Sequence, residues 1–395
     1  MNLFMKAILL YLRTLLILSM ASSLNAQINL VDIGHTNNGG TAQGIAVSGN
    51  YAYLAGGTNG LLIYDVSNPA LPVNVGHPHG SNDTGINAFA VALSGNYAFV
   101  TSPLSAGRGL FIYDVSNPAA PTNVGYLKSN VFGGGLAILG TNLYFGGDDR
   151  VPAMDISNPA APIGRTNYIP LQNLNPVSLA VTSNYLAMAG SGQFMNIGAF
   201  SNGAFSNLVY TNVGASATGV AIAGQYVFVA NTGLAPLQAY HVAPSGAVTK
   251  AGQITYPASQ TAGNGIALSG DYAYLACNAG LRVINVANPT NFVAAGQTST
   301  NYGGKGFGVA VSGRYAYLAN GADGLRVFAL QPPLAVSPAP GNGLTFSWPA
   351  QGSFVLQQTL DLKNPHWETV TNNPTNGQVT LPPPPSNMYY RLLGQ

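Results

Sequence analysis

The chain has 395 residues, and 6% of them are charged, against about 25% in an average soluble protein. Lys and Arg number 13, Asp and Glu 11, and there is one Cys. These values exclude a disordered polyelectrolyte, a disulfide-stapled mini-domain and a multi-span membrane protein. They also leave no Lys/Arg footprint with which to neutralise nucleic-acid phosphates, so no nucleic-acid partner is expected.

The N-terminus has its own composition. Lys6 and Arg13 precede an apolar run, residues 14–21 (TLLILSMA), and then the small polar stretch 22–26 (SSLNA). This order predicts a secretory signal peptide over residues 1–26, cut after Ala26, with Ala21 as the alternative. An uncleaved anchor would hold Arg13 near mid-bilayer, at a cost of about 2.5–3.5 kcal/mol. The expectation is a secreted or cell-surface protein with no membrane span in the mature chain. Without Lys6 and Arg13, basic and acidic residues balance at 11 each, so no long-range field steers charged partners. Cys277 has no second cysteine with which to form an internal bridge.

Repeats carry most of the information. The stretch 44–76 (GIAVSGNYAYLAGGTNGLLIYDVSNPALPVNVG) returns at 89–125 and 136–164, is eroded at 179–190 and 220–230, and is clear again at 266–297 and 309–330. Equivalent positions are Tyr51, Tyr97, Asn142, Tyr185, Tyr226, Tyr272 and Tyr315, with spacings of 46, 45, 43, 41, 46 and 43 residues. Each copy reads as four short strands. A Gly-Asn turn follows the first, alternating apolar residues mark the second and third, and Ser-Asn-Pro breaks the chain before the fourth. A period near 44 residues with no helical pattern predicts a β-propeller. The last copy lacks its fourth strand, and residues 28–34 (INLVDIG) supply a match to PVNVG. The expected fold class is therefore all-β: a seven-bladed propeller over 27–333, closed by the N-terminal strand.

The segments GLLIYDVSNPALPVNVG and GLFIYDVSNPAAPTNVG, each preceded by SGNYAY or SGNYAF, resemble the LVIVD repeat family. The resemblance covers residues 28–333. It departs at 198–203 (GAFSNG), which replaces YDVSNP, and at His241, which stands in the Asp position. It implies a propeller fold and export, and it brings no catalytic residue.

Residues 334–341 read as a Pro-rich linker, and 342–395 as a small β-sandwich-like module with strand-like runs at 344–348, 354–358, 367–370, 378–381 and 388–392. This segment is similar to C-terminal modules of exported proteins that end in YYRL or FYRL.

Candidate chemistry is sparse. Glu368 is the sole Glu, so paired-carboxylate chemistry would need two Asp. Asp65, Asp114 and Asp155 recur in D-[VI]-S-N-P, where the carboxylate is expected to cap the turn backbone. His77, Pro78 and His79 with Asp83 form the one local group of metal-ligand types, short of the three or four convergent ligands that zinc or copper needs. No metal, cofactor or catalytic residue is assigned.

In a propeller, the loops between strands two and three share a face with the connections between blades, and both sets vary in length here. Variable loops on a rigid scaffold are where function concentrates. The candidate binding residues on that face are His77, His79, Asp83, Arg108, Asp148, Asp149, Arg150 and Tyr302. The expected function is a monomeric, non-enzymatic binding scaffold for a protein or glycan. The alternative is a propeller hydrolase or lyase with a metal or Asp-pair site at the channel mouth.

Overall fold

The computed structural model describes residues 28–37, 39–78, 86–103, 108–128, 134–146, 150–164, 169–170, 176–190, 192–201, 204–256, 263–298, 302–331, 334–348, 354–361, 366–370, 378–383 and 388–394. The expected signal peptide lies outside these residues. No α-helix occurs among them.

Strand β1 is Asn29–Thr36. Strands β2 (Gly44–Ser48), β3 (Tyr51–Ala55), β4 (Leu61–Asp65) and β5 (Val73–Gly76) form an antiparallel sheet in chain order, here called sheet 1. Gly49, at φ 54, supplies the left-handed residue of the β2–β3 turn. Apolar residues alternate across both faces of β3. Tyr53 and Ala55 enter one core cluster, while Ala52 and Leu54 enter another. A strand buried on both sides needs a neighbouring sheet against each face.

Five further sheets repeat this order. Sheet 2 begins at Ala90–Ser94, sheet 3 at Leu136–Leu139, sheet 4 at Pro176–Val181, sheet 5 at Ala217–Ala223 and sheet 6 at Gly263–Ser269. Sheet 7 comprises Gly308–Ser312, Tyr315–Ala319 and Leu325–Gln331, and its outer strand is β1. In each sheet the residue equivalent to Tyr51 pairs with the third strand: Tyr51 with Asp65, Tyr97 with Asp114, Asn142 with Asp155, and so on to Tyr315 with Ala329.

The first strands of successive sheets touch, from β2 through to Gly308–Ser312, which in turn touches β2. Small residues permit that approach. A Cβ on Gly265 would lie 2.3 Å from the Phe307 carbonyl, one on Gly308 2.7 Å from that of Gln43, and one on Gly44 2.7 Å from that of Phe89. Between the sheets lie clusters such as Tyr317, Leu325 and Val327 of sheet 7 against Leu54, Leu62 and Tyr64 of sheet 1. Each such large side chain contributes about 1.5–3 kcal/mol by leaving water.

Sheet 3 departs from the pattern. Pro152 interrupts its third strand, and the two residues before it, Arg150–Val151, pair instead with Ile169–Pro170 in a separate two-stranded ladder.

The chain divides into two compact units, one of them Leu30–Leu330; the other holds Gln331–Gln395. The latter contains two three-stranded sheets around Phe346, Trp348, Leu356, Val370 and Val379. Residues read as linker include a strand, Ala335–Ala339, paired with Gly343–Ser347. Pro338 is tolerated there because the strand lies at the sheet edge, where a missing N–H breaks no ladder.

Candidate functional site

The expected turn chemistry comes first. Asp65, Asp114 and Asp155 each accept a hydrogen bond through Oδ1 from the N–H two residues on, at 2.8, 2.8 and 2.9 Å. Asn285 does the same toward Ala287 at 3.0 Å. Ser67, through its side chain and then its N–H, holds the Asp65 carboxyl below the usual carboxylate range. The N–H and then the side chain of Ser116 do so for Asp114. These aspartates are turn caps on the face opposite the variable loops.

The variable-loop face holds the candidate binding residues. His79, Asp83, Asp148 and Asp149 lie outside the described residues. His77 Nε2 stands 2.7 Å from the Asn59 carbonyl, which can only accept, so Nε2 carries the proton and ties this connection to the β3–β4 loop. Arg108 immediately precedes the third strand of sheet 2, Gly109–Asp114, and its carbonyl accepts from the Tyr126 hydroxyl at 2.8 Å. Arg150 belongs to the two-stranded ladder. Tyr302, at φ 53, is the one non-glycine residue with positive φ among the described residues. Its ring lies under the Arg326 guanidinium at 4.1 Å and beside Phe328 at 5.8 Å. These four residues belong to different sheets or connections. Among the described residues no group of three His, Cys, Asp or Glu could hold a metal.

Beneath that face lies a layer that the sequence did not single out. The buried polar side chains described in Leu30–Leu330 are Thr101, Ser102, Asn196, Asn231, Gln238, Arg282, Thr298 and Asn320. All sit at the end of a second strand, near the start of a third, or on the connection beside it. One register position recurs. Leu62, Phe111, Asn196, Gln238, Arg282 and Arg326 stand at the same place on their third strands, three residues before the partner of the repeat's marker position. It is apolar in sheets 1 and 2 and polar in sheets 4 to 7.

Most of these polar groups reach the connection entering their own sheet. Gln238 donates to the Val213 carbonyl at 3.0 Å and accepts from the Tyr240 hydroxyl at 2.5 Å. Arg282 stacks over Tyr256 at 4.0 Å, as Arg326 does over Tyr302. Burial pushes the Tyr256 hydroxyl up, and Arg282 opposes that shift. Burial also raises the Cys277 thiol, again against Arg282. A buried neutral thiol is a poor nucleophile. Burial alone would lower the Arg326 pKa, but Asp323 and Asp32 hold it above its ordinary value. Arg326 Nε lies 2.5 Å from Asp323, and Nη1 lies 2.6 Å from Asp32 of β1. His35, also on β1, reaches the Asp323 carboxylate at 3.1 Å. Asn196 differs: among the described residues neither its Nδ2 nor its Oδ1 has a hydrogen-bond partner, although it is fully buried. The pattern that could have exposed this layer is the switch from Leu62 and Phe111 to amide and guanidinium side chains at one repeat position.

Comparison with known proteins agrees with the architecture. The LVIVD repeat model matches residues 39–77, 86–128, 214–235, 262–300 and 303–328. LVIVD repeats are thus detected in five stretches of the chain. The matched stretches fall on sheets 1, 2, 5, 6 and 7, leaving sheets 3 and 4 as the most divergent repeats. No curated protein matches the sequence. Among solved structures, a catalytically inactive virginiamycin B lyase from Staphylococcus aureus with quinupristin is similar at TM-score 0.57 and 13% identity, over 77% of this chain and 100% of that one. The computationally designed Ika8 protein is similar at TM-score 0.53 and 8% identity, over 76% and 99%. At these identities the likeness is one of fold alone: the LVIVD repeats here build a β-propeller scaffold.

Proposed function

We propose that this protein is a seven-bladed propeller, closed by β1, that acts as a non-enzymatic binding scaffold for a protein or glycan. Residues 1–26 direct its export, and the mature chain, 27–395, acts as a monomer outside the cell or at its surface. Residues 342–395 are a β-sandwich-like module. The observation that carries the binding reading is the polar layer. Burying a polar side chain obliges the fold to find partners for it, so a fold places such groups where something else requires them. Here they gather under the face formed by the variable loops and connections, the face on which His77, Arg108, Arg150 and Tyr302 also stand. Seven four-stranded sheets, with first strands in contact around a closed cycle, support the blade count. Among the described residues, Asp323, Arg326 and His35 are engaged in ion pairs and a stack, which suits a scaffold better than a catalyst.

The test is thermal unfolding of residues 27–395 with divalent metals, with chelator and with saccharides, alongside capture of proteins from the host surface. A ligand at a hundredfold excess over Kd stabilises by about 2.7 kcal/mol. A saccharide-dependent rise, or capture of a specific surface protein that variants of the loop face abolish, supports the reading. A metal-dependent rise that chelator removes, accompanied by turnover of a substrate, overturns it.

A further inference from the structure

The divergent sheet 4 carries a feature found at the equivalent place in no other described sheet. Met195 and Ile197 pack toward sheet 5, in a cluster with Val213 and Val229. Side chains alternate along a strand, so Phe194 and Asn196 face the other way, toward sheet 3. Pairing agrees. Asn196 is opposite Met188 on one side and Tyr210 on the other, and Met188 packs with Val151 and Tyr144 of the sheet 3 region. Phe194, Asn196 and Tyr210 therefore share one face. Phe194 is 45% exposed and Tyr210 38%, whereas Asn196 is at 0%. Of the three aromatic side chains that are large and exposed among the described residues of Leu30–Leu330, two flank this amide. In sheet 2 the same pair of positions holds Phe111 and Tyr126, whose ring centroids lie 4.7 Å apart with the planes tilted by 38°. Sheet 4 keeps the tyrosine and replaces the phenylalanine with an amide that has no partner. The interface it faces is also the one altered by the extra ladder of Arg150–Val151 and Ile169–Pro170.

We propose that Phe194, Asn196 and Tyr210 form a binding subsite for a neutral saccharide. A sugar ring offers an apolar C–H face to an aromatic side chain and vicinal hydroxyls that both donate and accept. One carboxamide supplies the matching acceptor and donor. The absence of net charge in the mature chain and of any charged side chain in this trio favours a neutral ligand over a uronate or phosphate. Phe194 and Tyr210 flank the amide on its own face, and exposed rings change rotamer within nanoseconds. This inference rests on the binding-scaffold reading and deepens it.

The experiment is titration calorimetry of the full exported chain with cellohexaose, xylohexaose, maltohexaose and chitohexaose, and with hexagalacturonate as the charged comparison. The expected result is binding of at least one neutral hexasaccharide, more than tenfold weaker in Phe194→Ser and in Asn196→Leu. Asn196→Leu should melt no lower than the parent, because Leu62 fills the same register position in sheet 1. Phe194→Ser changes a surface side chain and guards against a folding artefact. Unchanged binding in both variants would overturn the subsite and leave the binding scaffold standing. Binding of hexagalacturonate alone, or of no hexasaccharide, would also overturn it, and the scaffold would then be judged by protein capture and the metal series.

Discussion

Gly76, the last residue of β5, stands against the carbonyl of Pro118 so closely that a Cβ on it would lie 2.0 Å from the oxygen. Gly34 of β1 meets Pro69 in the same way at 2.1 Å, and Gly252 meets Pro289 at 2.2 Å. A glycine of one outer strand thus seats on the Ser-Asn-Pro or Ala-Asn-Pro turn of the next sheet. That Gly34 does so against sheet 1 makes β1 equivalent to the fourth strand of the other repeats.

This seat yields a substitution series with its own control. Gly76→Ala must displace backbone on both sides, and about 1–3 kcal/mol of stability should be lost. Gly164, which pairs with Met154 on the outer strand of sheet 3 as Asn74 pairs with Tyr64 in sheet 1, has nothing within 4 Å of its would-be Cβ, and Gly164→Ala should stay within about 0.5 kcal/mol. Chemical denaturation of the three proteins checks both values.

Arg326 joins β1 to the body of sheet 7 through Asp32 and holds Asp323 within the loop. Removing the guanidinium leaves two carboxylates without their cation. Arg326→Met should cost about 3 kcal/mol, the low end of the range for a broken buried pair. Asp32→Asn should cost less, because Asp323 still satisfies Arg326. Denaturant midpoints of the two variants give the order.

Acid stability follows from the turn caps. Asp65 and Asp114 have folded pKa values below the ordinary carboxylate value. Their contribution is present above that ordinary value and is lost as the pH falls through the folded value, so it disappears below about pH 4. Asparagine keeps the cap, as Asn285 does, but does not titrate. Asp65→Asn with Asp114→Asn should therefore melt as the parent does at neutral pH and show a shallower acid limb. Melting midpoints against pH decide it.

At the alkaline end, burial pushes the hydroxyls of Tyr240 and Tyr274 up to about 12. The unfolded chain ionises first, near pH 10, so the stability these groups hold below that pH declines as the pH rises through their folded values. Tyr240→Phe with Tyr274→Phe should flatten this alkaline loss. Tyr240→Phe alone leaves Gln238 without one of its two partners, which should lower the neutral-pH midpoint.

Much of the scaffold was legible because each repeat states the same physics. The marker positions from Tyr51 to Tyr315 pair as the spacing implied, the D-[VI]-S-N-P aspartates cap their turns, and INLVDIG supplies the outer strand of sheet 7. The strand at Ala335–Ala339 is concealed in the Pro-rich run 334–341, because Pro338 is compatible with a strand only at a sheet edge. The buried polar layer was harder to read. Asn196, Gln238, Arg282 and Arg326 are scattered along the chain and coincide only when the third strands are placed in register, where Leu62 and Phe111 mark what an ordinary repeat puts there. Loop length pointed to a face and carried no information on the side chains beneath it.

Closure of the ring is the central structural claim, and a strand supplied in trans tests it most directly. The chain lacking residues 27–36 is mixed with a synthetic peptide of those ten residues, and the melting midpoint is followed against peptide concentration. The account expects the truncated protein to melt well below the parent or to self-associate, and the peptide to restore the midpoint saturably, with a Gly34→Ala peptide failing to do so. A truncated protein that stays monomeric and melts with the parent would contradict the account.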